Sequence, residues 1–253
     1  MMKRFFVIAL FVLGLGQLYA QPVRDTAWTK AGYFGLKLTQ VSLSSWSAGG
    51  ESALAFDSQI TYSADFKRDR QLWQNRLELG YGLTKNDGKS ARKTNDKIYF
   101  ASTYGYQIYK TLYWSALLNF NTQFAKGYDY NIEDSDFISK FMAPGYLMIG
   151  TGVTWSPNKI FTATFTPASW RGTIVADSRL ADEGAFGVDK GKHLLSEFGA
   201  NLKAEVNYEF LPNMKVYSRL ELYSNYLEDP QNVDVRWEVQ LNMAINKWFS
   251  TTL

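Results

Sequence analysis

The chain predicts an all-β fold, an antiparallel transmembrane β-barrel of about twelve strands. Three observations predict it. Segments of clean apolar–polar alternation recur along the chain, most of them ten to fourteen residues long. Soluble strands average about five or six residues, and a tilted membrane strand needs about nine to eleven. Short and long connections alternate between the segments, as they do in outer-membrane barrels. Aromatic residues make up 16% of the chain, and Tyr62, Trp73, Trp114, Trp155, Tyr208, Trp237 and Trp248 fall near segment ends, as interfacial girdles do.

The first element is a leader. MMKRFFVIALFVLGLGQLYA sets Lys3 and Arg4 ahead of an apolar run from Phe5 to Gly16, with the small residue Ala20 before Gln21. That layout predicts a cleavable signal peptide over residues 1–20 and a single barrel domain over 21–253. The absence of cysteine excludes a lipoprotein anchor and any disulfide framework. Losing Lys3 and Arg4 lowers the formal charge from +3 to +1, which argues against nucleic acid as a partner. No run of eighteen apolar residues follows the leader, so insertion into a membrane must be by strands.

The alternating segments follow in order at 32–43, 53–66, 72–83, 97–107, 112–124, 145–155, 160–166, 197–210, 215–226 and 233–245, and an eleventh starts near Trp248. Short turns at KRDR (67–70), YKT (109–111), SPNK (156–159), LPNM (211–214) and NKW (246–248) separate them on one side. Longer loops at SSWSAGGE, KNDGKSARKTN, KGYDYNIEDSDFISKFMA and 171–196 separate them on the other, where LEDPQN (227–232) is the shortest. A periplasmic N-terminus places every short turn in the periplasm and every longer loop outside.

Within a segment the two rows differ sharply. In EFGANLKAEVNYEF, Phe198, Ala200, Leu202, Ala204, Val206, Tyr208 and Phe210 oppose Asn201, Lys203, Glu205, Asn207 and Glu209. VDVRWEVQLNMAI and LWQNRLELGYGL repeat the pattern. Alternation alone fits a soluble barrel with apolar residues inside as well as a membrane barrel with them outside. Strand length, strand number and the aromatic ends select the second. The polar row then faces a lumen, and the lumen candidates are Arg76, Glu78, Lys203, Glu205, Glu209, Arg219, Glu221, Asp234, Arg236 and Glu238. Their signs nearly cancel, which suits cross-strand pairing. They fit equally a network that fills the barrel and the wall of a narrow polar conduit, because twelve strands lie between filled and open barrels.

Other candidates are weaker. Trp46, Gly49 and Gly50 in SSWSAGG suit a hairpin loop better than a ligand contact. His193, near Asp177, Asp182, Asp189 and Ser196, has the residue types of an outer-membrane hydrolase, but one histidine in a polar loop is more often solvated, so no enzyme is expected. Asp129, Asn131, Glu133, Asp134 and Asp136 offer oxygens to calcium, yet the loop lacks the glycine of an EF-hand and carries Lys140 where the closing glutamate belongs. No metal and no cofactor are expected.

Several phrases, SSWSAGGES, LELGYGL, KTNDKI, LNFNTQFAKGYDY, ISKFMAPGYL, ADEGAFGVDKGK, EFGANLKAE and SNYLEDPQNVDVRWEVQLNMAINK, occur in an order that resembles an uncharacterised family of Bacteroidota outer-membrane β-barrel proteins, a domain of unknown function. The resemblance implies the outer membrane of a Gram-negative bacterium, with its lipid as the surrounding partner, and no established activity. Relatives look longer at the C-terminus, and Leu253 stands where a terminal aromatic is expected, so the eleventh strand is expected to be cut short and a twelfth to be missing. The expected role is a narrow transport or diffusion barrel for a small solute. The alternative is a non-transporting anchor or assembly partner whose loops bind a ligand or a protein.

Overall fold

Long alternating segments joined by short connections pair most simply each with its neighbour, and the chain folds as this meander. The computed structural model describes residues 27–43, 51–132, 136–158, 160–244 and 250–252. The first strands are β1 (Trp28–Val41), β2 (Ala53–Arg68), β3 (Gln71–Asn86), β4 (Arg92–Tyr109) and β5 (Leu112–Thr122). A small hairpin, β6 (Gly127–Tyr128) and β7 (Phe137–Ser139), follows. Then come β8 (Gly145–Trp155), β9 (Phe161–Ile174), the helix α1 (Ser178–Glu183), β10 (Leu194–Leu211), β11 (Met214–Asn225), β12 (Val233–Ala244) and β13 (Ser250–Thr252). All except β6 and β7 form one eleven-stranded antiparallel sheet in the order β1-β2-β3-β4-β5-β8-β9-β10-β11-β12-β13. Among the described residues this sheet is not closed, and β1 and β13 are its edges. No helix there is long and apolar enough to cross a membrane, which says nothing of strands.

The expected segments all appear as strands, and several run further than the alternation suggested. β4 begins at Arg92 because a bulge beside Gly82 lets Arg92 and Lys93 continue the ladder opposite Thr84 and Leu83. The loop between β3 and β4 therefore shrinks to 87–91, and 226–232 is not the shortest connection on its side. β9 runs to Ile174 and β10 starts at Leu194, so the expected loop 171–196 narrows to 175–193. At the opposite end, two-residue turns hold Asp69, Lys110 and Asn213 at positive φ, the left-handed geometry that tight hairpins require.

The connections between β5 and β8 and between β9 and β10 pack on each other. Asp177 caps α1 by accepting a hydrogen bond from Leu180 N at 3.1 Å, and Gly184 ends it with φ of 75°. Leu180 and Ala181 pack with Ala143, Val175 and Val188, and Phe137, Ala185, Phe186 and Leu195 surround them. Lys140 Nζ meets the Asp177 carboxylate at 2.5 Å and holds its pKa below the usual carboxylate range. Arg179 stacks over Phe137, its guanidinium carbon 4.5 Å from the ring centroid. This cap sits at the long-loop end of β8, β9 and β10.

Burial is inverted relative to a soluble domain. Among the described residues, Tyr223 is the only buried apolar residue outside the cap cluster. The apolar rows are exposed, including Leu54, Ile60, Ile149, Phe165, Leu202, Val235 and Val239. The polar face is the concave one. The field of Arg219 and Glu221 on β11 reaches Tyr99 on β4, although β5, β8, β9 and β10 lie between them in the sheet. Five strand spacings in a flat sheet would separate them by about 24 Å, well beyond effective reach in salt water. The sheet is therefore rolled about its polar side.

Candidate functional site

Directly opposed residues in an antiparallel ladder share a face, so the register follows one row across the whole sheet. Arg76 and Glu78 on β3 lie opposite Ala101 and Tyr99 on β4. The row continues through Asn121 and Asn119 on β5, Met148 on β8 and Arg171 on β9 to Glu197 on β10. On β10 the same row holds Lys203, Glu205 and Glu209, opposite Glu221, Arg219 and Lys215 of β11. Arg219, Glu221 and Tyr223 in turn face Glu238, Arg236 and Asp234 on β12. All ten predicted lumen residues thus occupy one face of the sheet.

Opposed residues on that face carry opposite charge, and their side chains pair partly across strands and partly along them. Arg219 Nη2 donates to Glu238 Oε2 at 2.5 Å, and its Nε stands 3.9 Å from Glu221. Arg236 lies 3.8 Å from Glu221, Lys203 3.2 Å from Glu205 and Lys215 3.5 Å from Glu209. Glu78 is held by Arg76 and by Lys97, each at 2.5 Å. Toward the middle of the sheet the charges give way to small polar groups. Ser115, Thr154 and Thr164 join their hydroxyls across β5, β8 and β9 at 2.8 and 3.0 Å. Gly82 leaves room for Asp57 to accept from Asn95 across it at 3.1 Å, and a Cβ there would sit 2.5 Å from Asp57 Oδ2.

At the long-loop end the face deepens into a polar pocket of about 330 Å³ between β9, β10, β11 and the loop 226–232. Arg171 anchors it. Its Nε and Nη2 donate to the two carboxylate oxygens of Glu197 at 2.8 and 2.7 Å, a bidentate pair. Nη2 also reaches Asp234 at 3.3 Å, and the guanidinium lies 3.9 Å over the ring of Tyr223. Asn225, Glu228, Asp229 and Asn232 complete the lining.

Sequence reasoning missed Arg171, Glu197, Lys97 and Tyr223. Alternation in TATFTPASWRG breaks at Pro167, where three residue steps of β9, Thr166 to Ser169, oppose two of β10, Asn201 to Gly199. Proline is tolerated at such a bulge, and the bulge rather than a strand end is what the sequence signals there. Glu197 and Lys97 stood at segment starts, and Tyr223 reads as an aromatic in a polar row.

The weaker candidates are placed as follows. His193 Nδ1 lies 2.7 Å from the Val175 carbonyl, and Ser196 accepts from the Trp170 indole at 2.6 Å, so these residues are not brought together as a catalytic set. Asp129 Oδ1 accepts from the amide and side chain of Asn131 at 3.0 and 3.1 Å, a local turn, while Glu133 and Asp134 lie outside the described residues. No group of three potential metal ligands occurs among the described residues. Trp46, Gly49, Gly50 and Trp248 also lie outside the described residues, as do residues 1–26.

The model of a family described as a protein of unknown function, DUF3078, matches residues 38–128, from the end of β1 through β6. The resemblance carried by LELGYGL and KTNDKI holds over that span. No curated protein matches the chain.

Proposed function

We propose that the chain is an outer-membrane β-barrel of a Gram-negative bacterium, exported by a cleavable signal peptide, whose polar face lines a narrow lumen that passes small solutes. The reading is carried by one observation, the apolar rows left exposed along most of the long strands, set against a paired polar row on the concave side. Water disfavours an apolar surface of that extent, and lipid favours it. The outward tryptophans fit the same solvent. Trp73, Trp170 and Trp237 each donate their indole N–H to a serine on the adjacent strand, Ser102, Ser196 and Ser218, at 2.8, 2.6 and 3.0 Å. A donor facing hydrocarbon needs such a partner, whereas one facing water does not. In lipid an open sheet edge is not tolerated, so the rolled sheet closes by bringing the β1 edge against its last strand.

The Bacteroidota origin implied by the sequence resemblance belongs to this proposal. The decisive experiment is single-channel recording of the full-length protein in planar bilayers. Discrete steps with an ion preference are expected, and a barrel that inserts into liposomes yet conducts nothing sinks the transport role. The folded cap of α1, β6 and β7 favours a second reading, a non-transporting anchor whose loops present a rigid surface outside. A silent but inserted barrel would select it.

A further inference from the structure

We infer that the pocket at the long-loop end binds a small organic cation, a compound carrying ammonium or guanidinium groups. Its lining holds four carboxylates, Glu197, Glu228, Asp229 and Asp234, against the single guanidinium of Arg171, a net charge of −3. Arg171 is already committed to Glu197 on two atoms and to Asp234, so it does not neutralise the other two. Asp229 receives only the Gln231 amide at 3.3 Å among side chains, and Glu228 has no side-chain partner among the described residues. Such a group of carboxylates raises the local concentration of cations and orients N–H donors.

A second observation points to a ligand and not merely to a solvated acidic patch. Tyr223 is 6% exposed, yet its hydroxyl has no hydrogen-bond partner. Its ring face is occupied by Arg171, and its Cζ approaches the ideal Cβ position of Gly199 to 3.0 Å, so the ring is fixed where the missing side chain of Gly199 makes room. An unpaired buried hydroxyl is destabilising, and a bound donor or acceptor would satisfy it. The size of the pocket suits a molecule, because small-ligand sites begin at about 300 Å³. The carboxylates are too dispersed for a bare ion, since no three of them form a metal-holding group. A donor between Glu228 and Asp229, with the rest of the molecule reaching Tyr223, satisfies all of these features together.

The site goes beyond the conduit reading and stands apart from it, because it is tested by binding in micelles. The full-length protein is titrated calorimetrically with agmatine and with putrescine, with calcium as competitor and glucose as a neutral control. Saturable binding of at least one amine is expected. It should weaken by about tenfold or more in Glu228→Gln/Asp229→Asn and by about fivefold in Tyr223→Phe, which removes only the hydroxyl. Asp189→Asn, a carboxylate outside the pocket, should leave binding unchanged. Heat-modified mobility of each variant in gels checks that it has folded. Absence of saturable binding by both amines, equal binding by wild type and folded pocket variants, or displacement of the amines by calcium at lower concentration would each overturn the proposal. A barrel that conducts nothing would leave it standing.

Discussion

Arg219→Met removes the guanidinium at the centre of the charge ladder while keeping a side chain of similar length. The structure identifies which carboxylate is stranded. Glu205 keeps Lys203 at 3.2 Å and the Tyr217 hydroxyl at 3.1 Å, and Glu221 keeps Arg236 at 3.8 Å. Glu238 retains only the Gln240 amide at 2.7 Å. Removing one partner of a fully buried pair costs about 3–5 kcal/mol, whereas an exposed pair is worth about 0–1 kcal/mol. The Arg219 and Glu238 side chains are 34% and 35% exposed, between those limits. A loss of about 1.5–2.5 kcal/mol is therefore expected, and Glu238→Gln in the same background should restore about half of it.

The measurement is urea unfolding in lipid vesicles, followed by tryptophan fluorescence, for both single variants and the double variant. A coupling of about 1 kcal/mol between the two positions supports the pairing. Coupling below about 0.3 kcal/mol, with both singles near neutral, would mean that the ladder is fully hydrated and would refute the reasoning. Arg236, by contrast, is 80% exposed, so Arg236→Ala should change stability by no more than about 1 kcal/mol even though sequence alone gives it the same standing as Arg219. If the lumen conducts, Arg219→Met should also shift selectivity toward cations.

Four further outcomes are expected. Gly152→Ala should cost about 3 kcal/mol or prevent folding, because a Cβ there would sit 2.0 Å from Phe165 O, whereas Gly105→Ala, with its nearest contact at 3.7 Å, should be tolerated in the same refolding assay. Leu202→Arg or Val206→Arg should lower unfolding free energy in vesicles by roughly 2–4 kcal/mol if near the bilayer midplane, against little for Asn207→Gln, and equal tolerance would undo the assignment of faces. Cysteines at Asp87 and Asp189 should label with an impermeant reagent on intact cells, and labelling of one at Asn213 alone would invert the topology. Lys140 depresses the Asp177 pKa relative to the unfolded chain, so this contribution to the cap is present above about pH 4 and is lost as pH falls through the depressed value. Hydrogen exchange of residues 178–188 should accelerate at low pH in the wild type and at all pH in Asp177→Ala, which loses about 1 kcal/mol of capping; protection unchanged by acid would contradict the assignment.

The strands were legible because their two rows differ so strongly that the period of two survives in nearly every segment, as in Phe198 to Phe210. The alternating connections could be read because tight turns and long loops differ in length. The cap was not legible in the same way. β6 and β7 are two and three residues long, too short to carry a period, and they form where Phe137 and Ala143 pack near Val175 and Leu180. A cue to α1 was present in Asp177 and Gly184, which bracket SRLADE as N-cap and C-cap. The ion pairs of Arg219 and Glu238 required the register, which period-two patterning leaves open until neighbouring strands are aligned.

Arg171 is the most consequential omission, and the physical cause is a single extra residue. Counting in twos from Thr164 through Thr166 puts Ala168 and Trp170 on the polar face and Arg171 on the apolar one, where a guanidinium facing lipid is costly. The bulge around Pro167 reverses the parity, so that Thr166 and Ser169 lie on the polar face opposite Asn201 and Gly199, and Ala168 and Trp170 turn outward. Gly152 and Gly199 flank the bulge where side chains would collide with the Phe165 and Ser224 carbonyls at 2.0 and 2.1 Å. Proline, which donates no hydrogen bond to the ladder, and two glycines, which fill no space, thus determine that Arg171 reaches Glu197, Asp234 and the face of Tyr223. The pocket depends on this local break in the alternation: without it, the most paired cation at the long-loop end would point away from every partner it now has.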